Sequence, residues 1–70
     1  MLRNPLREYV DRTVIVNTRD GSERAFRGTL VCAHRAVLVL SDCYLIEPQQ
    51  TPLGGTVILE RDNVAWVQVM

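Results

Sequence analysis

Apolar and polar positions in this chain fall into short runs, and none approaches the about 20 apolar residues a membrane-spanning helix needs. The most telling stretch is residues 20–40, DGSERAFRGTLVCAHRAVLVL. Asp20-Gly21 is a tight-turn dipeptide. Phe26-Arg27-Gly28-Thr29-Leu30 reads as a strand with a glycine inside it, where a bend or a close backbone approach is expected. His34-Arg35-Ala36 is a brief polar break. Val37-Leu38-Val39-Leu40 is a second strand, too apolar to face water.

The same pattern extends to both sides. Asn4 suits an N-cap and Pro5 the first helical position, so residues 5–10 predict a short helix with Leu6, Tyr9 and Val10 on its apolar face. A helix this short must rest on something, and the open end of a barrel is the natural place. Residues 13–18, TVIVNT, are rich in β-branched side chains and predict a strand. Long strands follow at about 23–33 and 37–46. Residues 47–55, EPQQTPLGG, predict a loop. Residues 56–60 and 64–69 predict two further strands joined by the turn Arg61-Asp62-Asn63. The sum is mainly β: a short N-terminal helix and five antiparallel strands. The two long ones must curve in a small protein, with Gly28 as the bend, giving a strongly bent open barrel.

The last two strands raise the question of what covers them. Both are apolar and short, with only Glu60 and Gln68 as polar interruptions. Exposed apolar edges associate unless charged, covered or paired. Pairing with another copy, edge against edge, resolves this and closes into a ring if the rotation fits.

Composition refines the picture. Seventy residues make a single domain, residues 1–70, in which folding buries only about 60% of the exposable surface. A partner subunit is the usual remedy for so small a core. The net charge is zero, which argues against nucleic-acid binding by bulk electrostatics. All eight basic residues are arginine. Cys32 and Cys43 read as reduced core or near-core thiols, and one histidine without a CxxC offers no zinc spacing. No metal or cofactor is expected. No signal peptide is visible, so the expected location is cytoplasmic. No Ser-His-Asp set or phosphate-binding glycine loop occurs, so the chain reads as a non-enzyme.

Particular residues now carry a resemblance. Val14-Ile15-Val16, Asp20-Gly21, Gly28-Thr29-Leu30 and Val37-Leu38-Val39-Leu40 with Asp42 resemble the first motif of the Sm and LSm family, which includes bacterial Hfq-like and archaeal Sm-like proteins. Gly55-Thr56-Val57-Ile58-Leu59 and Asp62-Asn63-Val64 resemble the second. The resemblance covers nearly the whole chain. It implies a helix-capped, Sm/SH3-like barrel of five strands. It also implies rings of roughly five to seven copies, in which the 56–60 strand of one copy pairs with the 64–69 strand of the next. Val57, Ile58, Leu59, Trp66 and Val67 are then candidate interface residues. Relatives bind uridine-rich or adenine-rich RNA in or around the pore.

The family's nucleotide pocket is not evident. RNA-binding relatives carry Asp-x-x-x-Asn after the second strand, with a stacking residue between. The corresponding positions here are read as His34, Ala36 and Leu38. Leucine cannot hydrogen-bond a base edge, and alanine offers no stacking face. Glu60 and Arg61 stand where relatives carry Arg-Gly, so a carboxylate replaces the arginine that stacks on the base.

Other candidates remain. His34 and Arg35 on one turn, and Arg61 and Asn63 on another, would line a pore; a ring of guanidinium groups focuses field even on a neutral protein. The plainer reading is a solvated turn for the first and local Asp/Asn turn chemistry for the second. Arg3 and Arg7 would give the helix face a basic rim, or simply solvate it. Trp66, on the same face as Val64 by simple alternation, reads as core or subunit interface. Tyr44 reads as exposed, and Tyr9 and Phe26 as core.

Two functions follow, with single-stranded RNA or a protein as the partner beyond the chain itself. One is a homo-oligomeric ring that associates with RNA through a non-standard pocket. The other is an interaction or scaffold module of the same fold without RNA binding. A monomeric SH3-like barrel is a third reading, weakened by the N-terminal helix and the absence of a peptide-binding aromatic cluster.

Overall fold

The computed structural model describes residues 5–19, 24–47 and 50–70. Six strands form one antiparallel sheet: β1 (Thr13–Thr18), β2 (Ala25–Ala33), β3 (Val37–Glu47), β4 (Thr51–Pro52), β5 (Val57–Glu60) and β6 (Val64–Val69). The order is β4-β3-β2-β1-β6, and β5 pairs with β3 beside β4. The long strand β3 thus serves three partners. Its N-terminal half, Val37 to Leu40, pairs with β5, its C-terminal half with β4, and its other edge with β2.

The alternating pattern explains the core. Val14 and Val16 on β1, Leu30 on β2, and Leu38, Leu40 and Cys43 on β3 are essentially inaccessible to solvent. The described residues contain no layer of helices to cover one face of the sheet. Side chains can be sealed this completely only if the sheet wraps around its own concave face, which is an open barrel. Leu6, Tyr9 and Val10 close one part of it, packed against the buried cluster, and so do Val57, Leu59, Val64, Val67 and Val69. Phe26 also packs there, half-buried, as expected.

Gly28 is the bend. The β2–β3 register shifts between Arg27 and Thr29. A Cβ at Gly28 would lie 2.9 Å from the Ser41 carbonyl oxygen and 3.3 Å from Cys43 Cα. The glycine is therefore needed because β3 passes too close for any side chain.

Three expectations are corrected. The N-terminal helix is a single 3-10 segment, Pro5–Tyr9, too short to support a longer helix; the Asn4 cap lies outside the described residues. The 47–55 segment is not all loop, because Thr51–Pro52 adds a sixth strand at the end of β3. Trp66 does not share a face with Val64. The β1–β6 ladder steps from Asn17↔Trp66 to Thr18↔Val64, leaving Ala65 as an extra residue. That irregularity reverses the alternation: Val64 and Val67 pack inward while Trp66 points out and is 54% exposed. The tight turn at Asp20 lies outside the described residues. No helix among the described residues is long and apolar enough to cross a membrane.

Candidate nucleic-acid interface and subunit edges

The two turns singled out by the sequence come together. His34, Arg35 and Ala36 link β2 to β3, and a 3-10 turn, Arg61–Asn63, links β5 to β6. The first turn is closed by the His34 N–H donating to the Val37 carbonyl at 2.9 Å. Because β5 pairs with the start of β3, its end arrives beside that turn. There the Arg61 backbone N–H donates to the Ala36 carbonyl at 2.8 Å, and its guanidinium Nε donates to the His34 carbonyl at 2.9 Å. Arg61 is thus a clamp between the turns, a role its position alone did not reveal.

His34 and Arg35 are exposed. The imidazole Nε2 of His34 lies 3.0 Å from the Cys32 Sγ, which fixes the ring against the end of β2. Arg35 has its side chain in solvent at the tip. Asn63 is half-buried, and its carbonyl accepts the Arg19 N–H at 2.9 Å, tying the second turn to the end of β1. These four candidates lie together at one end of the barrel, with the exposed carboxylates of Glu60 and Asp62 beside them.

Leu38 does not belong to that end. It is fully buried, opposite Ala33 on β2 and Leu59 on β5. The residue that leaves the turn is Val37, which is half-buried and equally unable to read a base edge. Leu38 is therefore core, as the apolar 37–40 run indicated, and the motif correspondence that made it a pocket position is corrected.

Arg7 is exposed on the N-terminal segment beside exposed Glu8, and Arg3 lies outside the described residues. Tyr44 is exposed as expected, and shares an open polar hollow on the barrel's outer face with Arg27, Thr29 and Asp42. Arg27 and Tyr44 are direct neighbours across β2 and β3. Cys32 and Cys43 are free thiols. Burial pushes the Cys43 thiol above its ordinary range, partly offset by a backbone hydrogen bond from Tyr44.

The candidate interface residues split by face. Val57, Leu59 and Val67 pack against the core, whereas Ile58 and Trp66 are 64% and 54% exposed. Neither β5 nor β6 has a second strand partner among the described residues, so each presents an open edge. Arginines flank β6, which the sequence reading did not anticipate. A guanidinium nitrogen of Arg19 donates to the Val64 carbonyl at 3.1 Å, and one of Arg12 donates to the Met70 carbonyl at 2.9 Å.

No family model matches the chain, and no curated protein sequence does. Solved structures do. A heptameric archaeal Sm protein is similar at 24% identity over 94% of this chain and 96% of that one, with a TM-score of 0.80. A Pyrococcus abyssi Sm protein in complex with a uridine heptamer is similar at 24% identity over 97% and 100% of the two chains, with a TM-score of 0.80. A chain of the NatC complex bound to CoA is similar at 21% identity over 100% and 90%, with a TM-score of 0.78. At these identities the likeness establishes a shared fold.

Proposed function

Given a chain with the Sm-like fold, we propose that it assembles head to tail into a closed ring and that the ring associates with single-stranded RNA without a standard uridine pocket. It acts by binding, without catalysis. The observation that carries this reading is the joining of the 34–36 and 61–63 turns through Arg61, at the same end of a barrel whose β5 and β6 edges are open. Edge-to-edge addition of β5 to β6 satisfies the unpaired backbone groups of both strands and covers Ile58 and Trp66. Repetition brings one copy of the paired turns from every subunit toward the axis.

Arg35 then faces the RNA as a phosphate-binding group, with His34 beside it. Phosphate contacts give affinity that falls with salt and carries little sequence information. Without a base-edge reader at the turn, uridine and adenine tracts bind alike. The test is anisotropy of labelled uridine and adenine oligonucleotides across a salt series. Arg35→Ala, at an exposed tip that holds nothing else in place, flattens the slope of log K against log salt by about 0.7 for every phosphate of the single strand that it leaves without a counter-charge. An unchanged slope rejects Arg35 as the phosphate binder.

A second reading rests on two observations: the chain is electrically neutral, and the same fold occurs as a chain of the NatC complex. Here the module joins a protein assembly and ignores RNA. Absence of oligonucleotide binding at low salt, with assembly intact, selects this reading.

A further inference from the structure

If copies of this chain join edge to edge as proposed above, the charges at the ends of β5 and β6 specify how. We infer that Glu60 of one copy and Arg19 of the next form an ion pair that fixes the direction and register of the joint. Glu60 is the last residue of β5, exposed, and no ion pair among the described residues occupies it. Asp62, two residues on, is also exposed. The intervening Arg61 is drawn away from the edge by its Nε bond to the His34 carbonyl. The C-terminal end of the β5 edge is therefore acidic.

The complementary group lies at the start of β6. The Asn63 carbonyl faces β1, where it accepts the Arg19 N–H at 2.9 Å. Val64 is extended, at φ −97 and ψ 122, so its own carbonyl points the opposite way, toward the open edge. The Arg19 side chain reaches that carbonyl at 3.1 Å. Its guanidinium thus crosses to the open side of β6 and caps the first carbonyl there. One of its five N–H donors makes this bond, and others remain for a carboxylate.

Direction follows from geometry. Every ladder in the fold is antiparallel. Antiparallel addition of β5 to the neighbour's β6 sets the end of one strand, Glu60, against the start of the other, Val64 and Arg19. Parallel addition would bring Glu60 instead to the far end of β6, where Arg12 holds the Met70 carbonyl. A one-residue slip in either direction separates carboxylate from guanidinium and turns Ile58 and Trp66 to opposite faces. The partner this edge fits is a second copy of the same chain.

Charge reversal tests the pair by mass in solution, measured by light scattering. Glu60→Arg and Arg19→Glu each place like charges at every joint, and each is expected to lower the assembled mass toward the single chain. Combining the two changes in one chain restores it. Mixing the two single variants also raises the mass above the single chain, with every joint satisfied where the number of copies is even. Where the copies alternate, the two introduced charges meet at one joint and the native pair of Glu60 and Arg19 forms at the next. That rescue shows that both variants are folded. Arg12→Glu is expected to leave the mass unchanged. Wild-type mass for both reversed variants, no rescue in the chain that carries both changes, or dissociation by Arg12→Glu with Arg19→Glu intact would each overturn the pair while leaving the ring standing. A wild-type chain that is itself monomeric overturns the ring reading, and the pair with it.

Discussion

Single residues set the limits of this fold, and two glycines do so for different reasons. At Gly28 the obstacle is β3, whose Ser41 carbonyl lies 2.9 Å from where a Cβ would sit. Backbone cannot swing aside as a side chain does. Gly28→Ala is expected to destabilise the fold by about 1–3 kcal/mol, read as a lower urea midpoint at constant m-value. At Gly55 a Cβ would meet nothing within 4 Å, but φ is +77. Gly55→Ala therefore costs only left-handed backbone strain, about 1 kcal/mol. Equal costs at the two sites would contradict this distinction. The thiols separate in the same way. Half-buried Cys32 should react with a disulfide reagent before buried Cys43, whose labelling should track unfolding. Because burial raises the folded-state pKa of Cys43, the unfolded chain loses that proton first. The contribution is full at neutral pH and is lost as pH rises beyond about 8.5. Stability should fall through that alkaline window, and Cys43→Ala should remove part of the slope.

Elements show which features the residue pattern could encode. The β-branched run TVIVNT marked the strand β1, in which Val14 and Val16 are sealed in the core. The uninterrupted Val37-Leu38-Val39-Leu40 run marked a strand too apolar to face water, and it lies between β2 and β5 with Leu38 and Leu40 fully buried. Gly28 marked the bend. The pattern could not show where alternation breaks. The extra residue at Ala65 turns Trp66 outward, and Leu38 is core, as its apolar run indicated, and not the pocket position that the family motif assigned to it. Irregularities of register depend on partner strands far away in sequence, and local periodicity carries no record of them. Long-range side-chain bonds were hidden for the same reason: Arg61 to His34, Arg19 to Val64 and Arg12 to Met70. The candidate turns were legible as polar breaks between apolar runs, but the arginine that joins them read as a pore-lining charge and not as a clamp. Arg61→Ala is expected to cost about 1 kcal/mol, since a half-exposed hydrogen bond is worth no more, and to speed amide exchange at His34 and Arg61. Exchange that is unchanged at both amides would show that the backbone bonds hold the turns without the side chain.

For the whole molecule, neutral charge and small size direct attention to the edges. A chain of 8.0 kDa has limited apolar surface to bury on its own. This one leaves Ile58 and Trp66 exposed on its two terminal strands, which also present unpaired backbone. A head-to-tail joint either closes or runs on as a filament, and the acidic and basic ends of β5 and β6 favour a single register. In the proposed ring, RNA association depends on closure, because His34 and Arg35 of different copies converge only when copies surround an axis. Light scattering on a size column, across a tenfold concentration range at low salt, tests this most directly. A closed ring gives one species of roughly five to seven chains, unchanged in mass across the range. A steady 8.0 kDa monomer, or a mass that grows without limit as concentration rises, would contradict it.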